Sequence, residues 1–321
     1  MIIPIFIPHE GCPNDCAFCN QRTISGKESP PSISDAEKII NAHLETMGGF
    51  AQQIAFFGGS FTGIDTDMQN SYLSLAKKYI DQKCVGSIRL STRPDYIDEY
   101  IVKRLASYGV KNIELGAQSM SEDVLIISNR GHSASQVEKA SEIIKKNGCV
   151  LGLQMMTGLP LDTDEKSMQT AEKFVSLGAE ETRIYPTIVL KGTALDMLYQ
   201  SGKYDAQALE DAVELCAKLY AYFEENGVAV LRIGLPDSLS LRENYVTGPY
   251  HPSFGELVKS RKIRNEIERF AVYKKSLTVM ANKKYISKIM GNKRANIIYF
   301  ERKGITLTVV ENENTDTYII K

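Results

Sequence analysis

Three cysteines, Cys12, Cys16 and Cys19, crowd into eight residues near the start of the chain. Thiolates separated by three and two residues can bind one face of a cubane iron–sulfur cluster and leave its fourth iron without a protein ligand. A structural zinc site normally takes four ligands in two pairs, and the sequence offers no second pair. His9 is available as a fourth ligand, although a loop histidine is the simpler interpretation. The motif predicts a cluster whose open iron can be chelated by a small molecule.

These cysteines must be positioned by the elements around them. Short apolar runs alternate with amphipathic helical runs at a spacing of roughly 30 residues, which indicates strand–helix units and a parallel sheet. The first helix is expected from about residue 34, with Ser34 as its N-cap. The predicted strands cover residues 2–8, 53–59, 87–92, 112–119, 149–158, 182–190 and 228–235.

Residues with reactive or unusual chemistry directly follow several of these strands. They include the cysteine segment, Gly58 with Gly59 and Ser60, Arg93, and Gln118 with Ser119. The carboxyl ends of barrel strands carry the active sites of β/α barrel enzymes. The sequence therefore predicts the α/β class, with a partial (β/α)6 TIM-like barrel and its site on that rim.

Charge and composition divide the rest of the chain. We expect the barrel over residues 1–235, a connecting segment with a basic helix over 236–271, and a small α/β module over 272–321. Between residues 259 and 303 there are 14 Lys or Arg and three Asp or Glu, a local net charge of +11 in a chain of net charge −1. This asymmetry predicts an anionic partner at that end, and the alternative is a solvated helix face between domains.

The cysteine motif resembles that of the radical S-adenosylmethionine (SAM) enzymes, with Phe18 as the aromatic residue before the third cysteine. The resemblance implies a 4Fe–4S cluster on the three cysteines, which are then both metal ligands and catalytic residues. It also implies SAM on the open iron and reductive cleavage to a 5′-deoxyadenosyl radical. The family has a Gly-Gly-Glu-like turn that binds the SAM amino group. Here Gly58 and Gly59 match, and Ser60 replaces the acid.

A narrower resemblance spans residues 87–200. The motifs STRPDY at 91–96, IELGAQS at 113–119, NRGH at 129–132 and IYPTIVLKGT at 184–193 look like the radical SAM half of the Elongator catalytic subunit family. By this resemblance Arg130 pairs with the SAM carboxylate, Gln118 and Ser119 reach the ribose, and Gln154 faces the cavity. The resemblance does not extend to an acetyltransferase domain, so it implies the fold and SAM cleavage but not an acetyl-coenzyme A-dependent product.

The end of the chain offers a separate indication. Residues 286–300 resemble the helix–loop–helix core of a KH domain, in which a G-x-x-G loop holds a single-stranded nucleic-acid backbone. Here the loop reads Gly291-Asn-Lys293-Arg294, so arginine replaces the second glycine and adds positive charge. Lys293 and Arg294 are candidate RNA contacts. The alternative is a structural module that caps the barrel.

Together these observations predict a radical SAM enzyme of the cytoplasm that modifies RNA, specifically transfer RNA. It would receive electrons from a flavodoxin- or ferredoxin-type donor. Two alternatives stay open: small-molecule or tetrapyrrole chemistry of the coproporphyrinogen oxidase kind, and a non-catalytic, metal-containing RNA-binding protein. No run of about 18 apolar residues is present, which argues against a membrane span. The amino terminus lacks the basic and small-residue pattern of a secretory signal.

Overall fold

The computed structural model describes residues 1–8, 12, 15–20 and 29–321 of the 321-residue chain. Within these residues the larger sheet has seven strands, all parallel and in the order of the sequence. Its strands are β1 (Ile2–Ile7), β2 (Ala51–Gly58), β3 (Val85–Thr92), β4 (Val110–Gln118), β5 (Val150–Thr157), β6 (Glu181–Pro186) and β8 (Ala229–Ile233). The sheet curls into an open half-barrel, which confirms the predicted fold class.

Helices connect successive strands and cover the convex face of the sheet. Most begin at a side-chain cap of the kind that satisfies free backbone N–H groups, such as Asp65, Ser133 or Thr163. They are α1 (Ile33–Thr46), α2 (Thr66–Asp81), α3 (Glu99–Ser107), α4 (Glu122–Ile127), α5 (Ala134–Lys146), α6 (Asp164–Ser176), α7 (Ala194–Gln200) and α8 (Leu209–Glu225). The cap predicted at Ser34 is wrong by two residues, since the Ser32 hydroxyl accepts the hydrogen bond from Asp35 N.

The two faces of the sheet differ in chemistry because side chains alternate along each strand. In β3, Ile88 and Leu90 are fully buried in the core beneath the helices. Arg89 and Ser91 alternate with them in the sequence and therefore point to the concave face. The concave side is polar, and it leads up to the rim that carries the predicted site.

The segment between the barrel and the last module contains more regular secondary structure than its polar sequence indicates. It contains α9 (Leu239–Asn244), the short strand β9 (Tyr245–Thr247) and α10 (Phe254–Phe270). β9 pairs with β7 (Val189–Leu190) in a two-stranded antiparallel sheet. This pairing ties the connecting segment back to the barrel rim next to β6.

Residues 276–321 form a second α/β unit. Its strands are β10 (Ser276–Ala281), β11 (Thr306–Glu311) and β12 (Tyr318–Ile320), with β10 central, parallel to β11 and antiparallel to β12. Helices α11 (Lys283–Met290) and α12 (Ala295–Arg302) connect the first two strands. The predicted helix–loop–helix is therefore present, with residues 291–294 as its loop.

Helix α10 belongs to both hydrophobic cores. Phe254 and Val258 at its start pack into the barrel core, whereas Ile263 and Ile267 pack into the core of the C-terminal unit. The boundaries placed at 235/236 and 271/272 stay predictions. In the part of the chain that the structure describes, no helix is long and apolar enough to cross a bilayer.

Candidate functional site

The three cysteines line one cavity at the carboxyl rim of the sheet. Cys16 is buried, and Cys12 and Cys19 are half-buried. Burial raises the pKa of the Cys12 thiol, and the nearby Arg130 cation opposes that rise. Within the described residues, no three His, Cys, Asp or Glu side chains already have metal-binding geometry. The thiols therefore share a cavity without forming a closed metal site, and His9 lies outside the described residues.

Backbone hydrogen bonds fix the segment that carries the second and third cysteines. Ala17 N donates to Ser128 O at 2.9 Å, and Leu195 N donates to Ala17 O at 2.8 Å. The side-chain amide of Asn129 donates to Asp15 O at 2.9 Å. The segment is thus held between the end of α4 and the start of α7, which are far apart in the sequence.

Phe18 has two environments. Its side chain lines the cavity. It also packs against a small apolar cluster beneath the cysteine segment, formed by Val189, Leu195 and Tyr204. The aromatic residue before the third cysteine therefore supports the segment while one part of its surface faces the cavity.

The turn after β2 brings backbone groups to the cavity. Gly58 has a φ of +117°, and a Cβ there would lie 2.8 Å from the carbonyl oxygen of Ile7, so only glycine fits. Gly59 N donates to the same oxygen at 2.8 Å. The Ser60 hydroxyl is buried and lies 2.8 Å from the Thr92 hydroxyl. All three residues of this turn line the cavity.

Arg130 reaches the cavity from the loop after α4. Its Nη1 donates to the Cys16 sulfur at 3.4 Å, and its Nη2 donates to Gly116 O at 2.5 Å. A Cβ on Gly116 would lie 2.8 Å from Nη2, so a glycine in β4 leaves room for the guanidinium. Its Nε is buried and has no hydrogen-bond partner among the described residues.

A second buried cation, Arg93, was placed on the rim by the sequence but given no role. It is 2% exposed and lines the cavity. Its Nε donates to Asp95 at 2.9 Å, and its Nη2 donates to Arg130 O at 2.9 Å. Burial, together with the charges of Arg130 and Arg93, lowers the pKa of His132 to about 3. The imidazole is therefore neutral at physiological pH and adds no third positive charge here.

The two residues predicted to contact a ribose lie differently. Gln118 lines the cavity with a φ of +67°, and its Oε1 is buried without a partner among the described residues. Ser119 is not among the described residues that line the cavity. Its hydroxyl accepts a hydrogen bond from Ser121 N at 3.1 Å. The structure brings Gln118 to the site and does not bring Ser119 there.

A polar floor, which sequence reasoning missed, lies beneath the cavity on the concave face. Glu114 accepts hydrogen bonds from Arg89 Nη1 at 2.7 Å, Arg183 Nε at 2.5 Å and Gln154 Nε2 at 3.0 Å. Arg89 also donates to Glu181 at 2.8 Å. Burial would raise the pKa of Glu114, but the two arginines hold it below its ordinary value. The predicted residue Gln154 therefore connects this floor to the cavity that it lines.

The polar atoms of the floor have hydrogen-bond or ion-pair partners, whereas several buried polar atoms of the rim have none among the described residues. The charged groups of the floor pair with one another, and its two arginines balance its two glutamates. On the rim, in the described part of the chain, three residues that line the cavity have a buried atom without a partner: Arg93 Nη1, Gln118 Oε1 and Arg130 Nε. Buried polar atoms without partners are rare, so three of them on residues that line one cavity fit a polar ligand. The sequence does contain an indication of the floor, because charged residues stand within otherwise apolar strands.

Lys293 and Arg294 lie outside this cavity. They belong to the loop between α11 and α12 in the C-terminal unit, and both have left-handed backbone conformations, with φ of 50° and 62°. The candidate residues therefore divide into a cofactor-type cavity on the barrel rim and a basic loop on a separate unit.

Comparison with known proteins places two family models on the chain. A family model described as the radical SAM superfamily matches residues 6–174, and one described as a Radical_SAM C-terminal domain matches residues 179–264. Human Elongator complex protein 3 is 34% identical over 152 residues, which cover 46% of this chain and 28% of that protein. A tRNA uridine(34) acetyltransferase of Methanocaldococcus jannaschii is 23% identical over 67% of this chain and 47% of its own length.

Solved structures agree on the fold. An archaeal Elp3 of Methanocaldococcus infernus with an N-terminal deletion superposes with a TM-score of 0.67 at 19% identity, over 84% of this chain and 63% of that one. Coproporphyrinogen III oxidase of Escherichia coli gives a TM-score of 0.50 at 16% identity, over 70% and 53%. The chain spans less than half the length of the two curated relatives described above.

Family membership decides between two of the interpretations left open by the sequence. The radical SAM model covers more than half of the chain and includes all three cysteines and every residue that lines the rim cavity. The interpretation as a non-catalytic RNA-binding protein is thereby set aside in favour of an enzyme. The chain belongs to the radical SAM superfamily.

Proposed function

We propose that this enzyme holds a 4Fe–4S cluster on Cys12, Cys16 and Cys19, binds SAM in the rim cavity, and modifies an RNA, specifically a transfer RNA. The observation that carries the proposal is that three thiols and three residues with unpartnered buried polar atoms, Arg93, Gln118 and Arg130, line one cavity in the described part of the chain. When bound and reduced, such a cluster supplies the electron that cleaves SAM to methionine and a 5′-deoxyadenosyl radical.

The residues of the rim have chemistry that suits the parts of SAM. Arg130 offers an unused N–H to a carboxylate, and arginine binds carboxylates in a planar, directional manner. Gln118 Oε1 can accept a hydrogen bond from a ribose hydroxyl. The turn at Gly58, Gly59 and Ser60 offers backbone and hydroxyl groups to the amino group. We assign these residues, with Phe18 and Gln154, to SAM binding.

Arg130 also contacts the metal-binding segment. Its Nη1 donates to the Cys16 sulfur. A hydrogen bond from a cation to a thiolate stabilises negative charge on the sulfur, which is one of the ways a protein tunes an iron–sulfur centre. One guanidinium therefore contacts the Cys16 sulfur and keeps its Nε for the proposed SAM carboxylate.

The RNA substrate is supported by the relatives and by charge. One relative is a tRNA uridine(34) acetyltransferase by name. The loop with Lys293 and Arg294 exposes two cations on the C-terminal unit, and we assign them to RNA contact. The electron source in this proposal is a flavodoxin- or ferredoxin-type donor, and the location is the cytoplasm.

The decisive experiment is anaerobic. The protein is reconstituted with iron and sulfide, given SAM and dithionite, and assayed for 5′-deoxyadenosine with and without bulk transfer RNA. We expect the product to form and RNA to change its rate of formation. Formation that is indifferent to RNA would move the substrate to small molecules, including tetrapyrroles. A fully loaded cluster that yields no product would contradict the proposal.

Cysteine variants test the ligand assignment. Replacing Cys12, Cys16 or Cys19 with Ala should lower bound iron and remove 5′-deoxyadenosine formation, because each thiolate holds one iron of the cluster. The matched control is Cys84→Ala, a half-exposed cysteine between α2 and β3 that does not line the cavity. Iron content and deoxyadenosine are measured on the same preparations. Product formation that persists in any of the three variants would disprove that residue's assignment.

A further inference from the structure

The basic segment between residues 259 and 303 does not present all of its charge to solvent. On α10, Arg261 pairs with Glu214 at 2.9 Å and Lys262 pairs with Glu224 at 2.9 Å, both on α8. Arg264 pairs with Glu214 at 3.8 Å, and its guanidinium also lies over the Tyr299 ring, 4.3 Å from its centroid. These cations attach α10 to its neighbours and are therefore unavailable to a partner.

Helix α11 is the opposite case. Among the described residues, none of its three lysines, Lys283, Lys284 and Lys288, forms an ion pair with a carboxylate. Lys284 and Lys288 are four residues apart and both place their ammonium groups near the Tyr285 ring, 5.7 and 5.3 Å from its centroid. Like charges at this spacing destabilise a helix. The two charges therefore converge on one side of the helix, at a cost that no ion pair within the described chain offsets.

The loop after α11 carries a second such cost. Lys293 and Arg294 are consecutive non-glycine residues in the left-handed region. This conformation is unfavourable for both and persists only where the surroundings enforce it. Asn296, itself buried, holds the loop by donating to the carbonyl of Ile289 at 2.9 Å and to the Ser260 hydroxyl at 3.0 Å.

Unneutralised charge and backbone strain thus occur side by side, on one helix and the loop that follows it. We propose that α11 and residues 291–294, here named the α11–loop surface, bind the sugar–phosphate backbone of the RNA substrate, and that the cations of α10 do not contribute. A polyanion complements such a group of cations, and phosphate contacts supply most of the sequence-independent affinity for nucleic acids. This inference rests on the proposed function and names the surface that the RNA uses.

The position of this surface relative to the barrel is fixed by α10. The helix begins in the barrel core with Phe254 and Val258 and ends in the core of the C-terminal unit with Ile267. An RNA held on the α11–loop surface is therefore held on a unit whose core is joined, through α10, to the barrel that carries the rim cavity.

Charge-matched double variants test the surface. Lys284→Gln with Lys288→Gln removes two charges from it. Lys274→Gln with Lys275→Gln removes two exposed charges at the opposite end of β10, in the same unit. Binding of bulk transfer RNA to the reconstituted full chain is measured across salt concentrations. We expect the first variant to weaken binding by roughly tenfold at about 0.1 M salt and to flatten the salt slope by about 1.5. The control should change little.

Equal losses in the two variants would show a diffuse charge effect and overturn the proposal. An unchanged salt slope in the Lys284/Lys288 variant would also overturn it, and the proposed function would still stand if transfer RNA altered SAM cleavage. Loss of binding to anionic phospholipid vesicles, with transfer RNA binding intact, would assign the surface to lipid instead. If wild-type protein neither binds transfer RNA nor responds to it, the proposed function fails, and this inference fails with it.

A strain-relieving variant separates binding from structure. Glycine adopts the left-handed conformation without penalty, so Lys293→Gly relieves strain and removes one charge. We expect its thermal midpoint to equal or exceed that of the wild type while transfer RNA binding weakens severalfold. Lys293→Asn removes the same charge and should weaken binding in the same way. Its stability should be retained, because asparagine tolerates the left-handed conformation. A variant of unchanged or raised stability with wild-type RNA affinity would return the loop to a purely structural role.

Discussion

At the scale of single residues, Glu114 joins the two arginines of the floor to Gln154. One carboxylate meets two arginines and Gln154, and its side chain is 2% exposed. Removing one member of a buried ion pair leaves an uncompensated charge. This destabilises the fold more than replacing both members with apolar residues does. The concave face therefore depends on this residue even though it lies below the cavity and touches no proposed ligand.

Glu114→Gln should destabilise the protein by about 3 kcal/mol, because Arg89 keeps one carboxylate, that of Glu181, and Arg183 loses its carboxylate partner. Urea unfolding followed by circular dichroism measures the change. The charge-balanced double variant Glu114→Gln with Arg183→Gln should recover part of the loss, since one orphaned cation is removed with the anion. Two additive losses in the double-mutant cycle would contradict the coupling.

The floor also shows where sequence reasoning stopped. Arg89, Glu114 and Arg183 each interrupt an apolar strand, and that pattern is visible in the sequence. Their mutual pairing depends on strand register, which places Ser91 beside Glu114 and Gln154 beside Arg183. A single sequence does not contain the register, so the residues could be noticed but not connected. The rim residues were predictable because a short motif carries each of them.

At the scale of elements, helix starts show what local sequence can and cannot specify. Ser32 precedes α1 and Ser34 is its second residue, and either serine fits the sequence pattern of an N-cap. In the structure the Ser32 hydroxyl both accepts from Asp35 N and donates to the Asp35 carboxylate at 2.7 Å. The Tyr72 hydroxyl of α2 donates to the carbonyl of Pro31, directly before Ser32, and a tertiary contact of this kind is not visible in the local sequence.

The two serines make a matched pair for experiment. Ser32→Ala should lower the free energy of unfolding by about 1 kcal/mol, because the first turn of α1 loses its side-chain cap. Ser34→Ala should leave stability unchanged or slightly higher, since Ser34 lies inside the helix, where alanine is favoured. Urea unfolding of the two variants side by side decides the matter. A larger loss for Ser34 would restore the cap position expected from the sequence.

At the scale of the whole molecule, α10 contributes residues to both hydrophobic cores and so connects them. Sequence composition predicted a connecting segment at this place, because the stretch before and within α10 is polar and basic. The polarity belongs to the outer side of the helix and to its ion pairs with α8, while its inner side supplies apolar residues to each core in turn. Composition alone does not distinguish a linker from such a shared helix.

Fluorescence can test whether the two cores unfold together. The chain has no tryptophan, and Phe50 and Phe270 are exposed residues next to the barrel and at the end of α10. Phe50→Trp and Phe270→Trp therefore report on the two units separately. We expect their urea midpoints to coincide, because unfolding either core removes one half of the packing of α10. A lower midpoint for the Phe270→Trp variant alone would show independent units.

The paired floor of the barrel has a consequence for how the protein matures. Its charged groups pair with one another through side chains of the chain itself, so the sheet can form before any cofactor binds. In the proposed function, the cluster and SAM would then bind to a chain that is already folded and whose three thiols already share one cavity.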